Sequence, residues 1–475
     1  MSAQPQRRER ENGLLFAVAY CTPAADPQTA RSETLDWDYI LNAANLHGIS
    51  PLLFAAHQRG LAMPERAADV LRSAYWITHF RNRTLLTELT DILNLAEKRG
   101  IALMPLKGAL LASHYYATSA LRPMSDLDLL VKRGDIDALA ALLVSCGYAA
   151  AGKPQTVIGD GGRDPFHRER AFVKQRDGAP ILIEYRVEPL DPGVMAFIEL
   201  DSALSARLRE HVERMWARAH TETRDGAVFT RLSPEDLILH VASHLTTRHT
   251  NFRLLWLHDL CRIATYHEGE IDWSYVAEKA RALGLAAPIF AALEAAHDRL
   301  GAPIPVAGLR PAFLSRRWTV RFPVEAIEYG LLARQARAMR HADLTLQSVI
   351  LSPWLILVSL LRLRGARARA RALYSIIVPS RAYMQVWSNE TAHRDLAYHR
   401  ALALRGILTC VRIPVIISNR CNAPWLSCPI SRFAARIAAQ FHLSLVPGDH
   451  DDGSDRASSV RSHVNISWGN FIARL

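Results

Sequence analysis

The sequence predicts an α+β protein: a small mixed-sheet core flanked by N-terminal and C-terminal helical regions. Three observations lead there. Apolar residues recur in steps of three and four up to Gly100. They switch to steps of two around Leu127 to Val131 and give a short apolar run at Ile181 to Val187. Helical spacing then returns after Ser233. With 475 residues, 49 % hydrophobic and 22 % charged, and 24 each of Gly and Pro, the composition excludes a disordered or collagen-like chain. The length suits two or three domains.

At the N-terminus Arg7, Arg8 and Arg10 precede an apolar run from Leu14 to Cys21, a faint copy of a signal peptide. Glu9 and Glu11 interrupt the basic part, so the segment reads as a first helix. From Trp37 to Gly60 the spacing of Trp37, Ile40, Leu41 and Ala44 is helical, with Asp36 placed as N-cap and Gly48 as a break. A further helix carries Leu85, Leu86, Leu89, Ile92, Leu93 and Ala96 and stops at Gly100. Residues 1–100 thus form an N-terminal helical region.

Residues 101–230 form the mixed core. Ile101 to Leu106 reads as a strand, Lys107-Gly108 as a turn, and Ala109 to Ala117 as a helix. In the next strand Leu127, Leu129 and Val131 alternate with Asp126, Asp128 and Leu130, which puts both acids on one face. Asp135 to Cys146 is a helix closed by Gly147, Gly159, Gly161 and Gly162 mark a turn, and Ile181 to Val187 is a strand holding Glu184.

Residues 231–405 return to helix. Ser233-Pro234-Glu235-Asp236 has the form of an N-cap, a first-turn proline and an acid three residues on. Helices are expected at 234–247, 253–267, 273–284 and 287–300, ended by Pro303 and Pro305, with an Arg-rich helical stretch beyond. Ser348 to Leu361 is apolar but short of the roughly 20 residues that span a bilayer, so it reads as a buried helix and not as a membrane span. Residues 406–475 form a poorly defined tail, strand-like at Ile407 to Ile417 and polar from Gly448 to Ser462.

The net charge of +11, from 57 Lys and Arg against 46 Asp and Glu, favours anionic partners without naming one. The run Arg362 to Arg371 spreads around a helix with few aromatics between, which fits a solvated face better than a nucleic-acid contact. The six cysteines contain no C-x-x-C pair, so neither a disulfide framework nor a zinc knuckle is expected, and a cytoplasmic location is the default.

The chemistry concentrates at Asp126-Leu127-Asp128. Its carboxylates lie about 7 Å apart along one strand face, within reach of one hard cation such as magnesium. Glu184 completes a three-acid cluster if its strand neighbours theirs. Three carboxylates with two metal ions suit phosphoryl or nucleotidyl transfer. Lys107-Gly108, before a helix, offers an ammonium and helix amides to phosphate oxygens, and Arg122 offers a second cation. His240 and His244 stand at i, i+4 on one predicted helix, but no Glu follows His240. They read as core or acceptor-site polar contacts rather than a zinc pair.

The stretch MPLKGALLASHYYATSALRPMSDLDLLVKRGDIDALAALLVSCGY (104–147 and Tyr148) resembles a bacterial nucleotidyltransferase family of the DNA-polymerase-β-type superfamily. LIEYRVEPL (182–190) resembles its third-carboxylate strand, and LSPEDLILHVASHLTTRHTNFRLLWLHDLCRI its helical second half. The resemblance covers about residues 13–385. It implies magnesium, two ions, with Asp126, Asp128 and Glu184 as ligands and catalytic acids. It also implies a nucleoside triphosphate co-substrate met by Lys107, Gly108, Arg122 and Ser125, and an unidentified acceptor in natural-product or polysaccharide biosynthesis. Asp259, beside His258, would orient substrate, or else pair with Arg253 or Arg262 on the helix surface. Two positions depart from the pattern: Gly108 is followed by Ala109 instead of Ser, and Arg186 stands where the family often has His. They leave a non-catalytic nucleotide-binding or scaffold protein as one alternative, and the basic excess leaves an RNA-modifying enzyme as another. The oligomeric state is open.

Overall fold

The computed structural model describes residues 3–20, 35–151, 169–176, 178–190, 202–224, 226–248, 252–314, 323–341 and 343–344. The Gly159 turn, the stretches Ser348 to Leu361 and Arg362 to Arg371, and the tail lie outside these residues. The described residues belong to one compact unit, 1–369.

The first helices are α1 (Ala3–Val18), α2 (Trp37–Leu46), α3 (Ser50–Gln58) and α4 (Glu65–Lys98). The Asp36 carboxylate accepts from the Tyr39 backbone N–H, so it caps α2, a contact worth about 1 kcal/mol. Gly48, at φ +72°, turns the chain between α2 and α3. At 34 residues α4 is far longer than the periodicity of Leu85 to Ala96 signals, because its N-terminal half buries only Ala67, Ala68 and Leu71. Its C-terminal half buries Leu85, Leu89, Ile92, Leu93 and Ala96 as one stripe.

The core sheet has the order β1-β2-β5-β4-β3, with β1 (Leu103–Pro105), β2 (Leu127–Val131), β3 (Ala149–Ala151), β4 (Glu169–Arg176) and β5 (Ala179–Arg186). Only β2 and β5 pair in parallel. Every residue of β2 is buried, so the sheet is covered on both faces there. Helix α5 (Lys107–His114) follows β1, and α6 (Ile136–Ser145) follows β2. On α4, buried Glu88 binds the far edge of the sheet: Tyr148 donates to it at 2.8 Å, and Lys174 and Arg176 of β4 pair with it.

Helix α7 (Ser202–Ala217) leads into a separate hairpin of β6 (His220–Arg224) and β7 (Ala227–Arg231). The helical half follows as α8 (Pro234–Ser243), α9 (Leu254–Tyr266), α10 (Trp273–Ala282), α11 (Ala286–Leu300) and α12 (Val306–Phe313), with a last described helix at Pro323–Ala338. Ser233 caps α8 by accepting from the Asp236 N–H at 3.3 Å. At its other end α8 passes into a π-helical turn, His244–Arg248, so the expected single helix to 247 changes pitch at His244.

No described helix is long and apolar enough to cross a membrane. Among the described residues Cys146 is a free cysteine.

Candidate active site

The site forms where β1 and β5 end and β2 begins, beside the helical half. Leu106, at the end of β1, donates its backbone N–H to the Asp128 carbonyl at 2.9 Å, which ties the following turn to β2. Lys107 has φ +41°, the one positive φ outside glycine among the described residues. A backbone of that kind costs on the order of 1–3 kcal/mol and persists only where its surroundings impose it. The next residue is closely packed. A Cβ on Gly108 would lie 2.8 Å from Arg122 Nη1 and 3.0 Å from Met124 Cβ, so the turn is pressed against the loop that leads into β2.

That loop is held by α4. Asn82 Nδ2 donates to the carbonyls of Ser119 (2.6 Å) and Arg122 (2.8 Å). Arg81 donates from Nη2 to the Ser125 carbonyl at 2.9 Å and from Nη1 to Pro180 at 2.8 Å, so it spans the loop and the start of β5. Neither residue was singled out in the sequence, since each reads as a polar position on a helix face.

Asp128 of β2 lies opposite Glu184 of β5 in the parallel register, so two adjacent strands bring these acids together, with Asp126 just before β2. Asp128 is buried, and its Oδ1 meets Lys107 Nζ at 2.9 Å and Arg186 Nη2 at 3.7 Å. Arg186, two residues past Glu184 on the same strand, is itself buried. Asp126 precedes the strand, half-buried, with Ser125 Oγ donating to its Oδ1 at 3.0 Å. Burial first, and then the negative Asp128, push the Asp126 carboxyl above its usual range, against the opposing charges of Lys107 and Arg122.

Arg122, expected to meet a triphosphate, is paired within the fold. The sequence aimed it at a triphosphate; in the fold its Nη2 meets Asp259 Oδ2 at 2.8 Å and its Nε meets Oδ1 at 3.3 Å. The Tyr116 hydroxyl donates to the same Oδ1 at 2.7 Å. Asp259 is fully buried, so neither the surface pair with Arg253 nor that with Arg262 forms. Burial and the carboxylate beside it hold the Tyr116 hydroxyl well above its ordinary pKa. The buried Arg122–Asp259–Tyr116 group joins the loop before β2 to α9.

His240 of α8 closes another side. Its Nδ1 donates to the Pro189 carbonyl at 2.6 Å just past β5, which leaves Nε2 as the unprotonated nitrogen. Burial first, then Lys107 and Arg186, lower it to about 3, so the ring is neutral. The His240 and His244 ring centroids are 6.5 Å apart, and His244 stands edge-on to Trp256 at 5.5 Å.

A family described as uncharacterised nucleotidyltransferase matches residues 33–301, more than half of the chain. The chain belongs to this nucleotidyltransferase family. It is thereby an enzyme of the nucleotidyltransferase class, with an α+β fold. No curated protein and no solved structure matches it.

Nucleotidyltransferases generally use a nucleoside triphosphate and a divalent metal. Among the described residues no three His, Cys, Asp or Glu side chains stand close enough to hold an ion as they are. The donor set nevertheless fits magnesium by chemistry, because Asp126, Asp128 and Glu184 offer only hard oxygen ligands. The Asp126 carboxyl, pushed up by Asp128, also marks a like-charge repulsion that a cation would relieve. Lys107 and Arg186 meet part of that need at Asp128.

Proposed function

We propose that this nucleotidyltransferase moves a nucleoside monophosphate from a triphosphate to an acceptor oxygen at the strand ends that carry Asp126, Asp128 and Glu184. The pairing of Asp128 with Glu184 across β2 and β5 is the observation that supports it most, since it brings a third acid from 56 residues away beside the first two. Asp126, Asp128 and Glu184 would hold magnesium, which when bound neutralises charge on the attacking and leaving oxygens. The acceptor oxygen bonds to the α-phosphorus, the bond to the bridging oxygen breaks, and pyrophosphate leaves. Glu184, beside the acceptor, takes the acceptor proton.

The Lys107-Gly108 turn and Ser125 are the parts of the chain assigned to the triphosphate. Gly108 lets the backbone approach without a side chain, and Lys107 supplies a compact ammonium. Arg122 positions that turn through its hold on Asp259. The helical half supplies the wall that chooses the acceptor.

A second reading, a nucleotide binder without turnover, has one observation in its favour: Lys107 and Arg186 already offset the Asp128 charge. Pyrophosphate release separates the two, and the metal site that both readings share is tested by itself. In a Mn2+ titration by calorimetry, Asp126→Asn and Asp128→Asn should each lose most of the wild-type affinity while keeping its circular dichroism. Wild-type Mn2+ affinity in both variants would remove these acids from the metal site.

A further inference from the structure

We infer that Arg253, at the N-terminus of α9, is an anion-binding residue of this site that receives phosphate-type oxygens of a substrate. The assignment of those oxygens to a nucleotide rests on the nucleotidyl-transfer reading; the anion site itself does not.

The other arginines of the site are committed. Arg122 is bound bidentately by Asp259, and Arg186 stands 3.7 Å from Asp128. Arg253 differs. Its Nε is buried with no hydrogen-bond partner, and among the described residues no carboxylate lies within ion-pair distance of its guanidinium. The contact it makes is with a ring face, Cζ lying 5.0 Å from the Trp256 centroid. Arg253 is half-buried, and a guanidinium whose Nε is taken out of water normally pairs with an acid, because removing the charge from water is costly. Burial, and then Arg122, bring Arg253 down to about 10. Two guanidinium groups that oppose each other's charge, one of them without an acid among the described residues, favour a negative group from outside.

The surroundings favour a ligand over a missed partner. The amides at the start of α9 are already filled: Leu254 N–H donates to His47 Nδ1 and Leu255 N–H to the His47 carbonyl, both at 3.2 Å. An anion must therefore meet the side chain. Gly48 keeps the approach narrow, since a Cβ there would stand 2.9 Å from Leu255 Cδ2 and 3.6 Å from Arg253 Nη2. Two sequences of neighbours also tie Arg253 to the acids. One runs through Arg122, which touches the Gly108 turn and feels the Asp126 charge. The other runs through Trp256 and His244 to His240, which feels Lys107 and Asp128. A planar guanidinium suits two oxygens of one phosphate, and the sequence reading that looked to Arg122 for this cation is better met by Arg253.

The probe is inorganic tripolyphosphate, titrated by calorimetry without metal into wild type, Arg253→Met and Arg253→Lys, followed by Mg-ATP and the other three triphosphates. Arg253→Met should bind tripolyphosphate about ten- to a hundredfold more weakly, with Arg253→Lys between. Its melting temperature should hold or rise, since an unpaired, half-buried charge is replaced by an apolar chain of similar length. If the triphosphates lose affinity in parallel, the anion is the nucleotide tail; if they keep it, the anion belongs to the acceptor. Tripolyphosphate affinity equal in wild type and Arg253→Met overturns the proposal, as does no binding by wild type. So does a lost affinity accompanied by a melting temperature several degrees lower in both variants, which marks a structural arginine. Failure of nucleotidyl transfer would instead show as missing pyrophosphate release with this anion site intact.

Discussion

Lys107 turns the chain at φ +41° and sets its ammonium 2.9 Å from Asp128, so backbone and side chain serve one site. Removing the charge should act in two directions. Lys107→Ala is expected to weaken Mg-ATP or its preferred counterpart about ten- to a hundredfold, the size of one charge-assisted phosphate contact. The same variant should bind Mn2+ alone more tightly, because an ammonium no longer competes for Asp128. Calorimetry reads both, and equal nucleotide affinity in wild type and variant would make Lys107 an ordinary turn residue. The candidate acids and this turn were legible because their pattern is local: Asp126 and Asp128 two apart on a strand, Lys107-Gly108 between a strand and a helix. Arg122 shows the opposite case, since what it pairs with is not legible. Its carboxylate partner lies 137 residues away, and no local pattern records such a pair.

Among the elements, α9 is fastened to the loop before β2 by one buried group, Arg122 and Tyr116 on Asp259. Asp259→Asn would leave the Arg122 charge buried and half-paired, at a cost of about 3–5 kcal/mol. Urea unfolding should show that loss, with Tyr116→Phe costing about 1 kcal/mol by contrast. A loss below 1 kcal/mol in Asp259→Asn would mean that the two halves are joined by apolar packing alone. Helices were the elements best read from sequence, since caps such as Asp36 and Ser233 and stripes such as Leu85 to Ala96 are set by neighbours in the chain. The strand β4 and the β6–β7 hairpin were missed. Each hairpin turns at an Asp-Gly, with Gly178 at φ +75° and Gly226 at φ +77°, and that dipeptide between alternating residues is a hairpin signal. Their polar sequences, ERAFVKQR and HTETR, hid it.

Across the whole molecule, buried histidines set the response to acid. Burial lowers His47 and His211 to about 4 and His240 to about 3, from 6.5. The unfolded chain therefore binds protons below 6.5 that the folded one refuses, and stability falls as pH drops from 6.5 toward 4. Each group contributes up to about 1.4 kcal/mol per pH unit in that window. Asp126 and Asp236, held above their usual range, push the other way only where carboxyls titrate. The melting temperature should thus be lower near pH 5 than near pH 7.5, and an equal or higher value at pH 5 would contradict the burial of these rings.

The central claim is that the acids of β2 and β5 run nucleotidyl transfer, and pyrophosphate release tests it most directly. With magnesium, each of the four nucleoside triphosphates in turn and a cell extract as source of acceptor, the wild-type protein should release pyrophosphate from at least one. Asp126→Asn and Asp128→Asn should release none above background while unfolding at the wild-type temperature. Release undiminished in both variants, or absent from the wild type with all four triphosphates, would contradict the account.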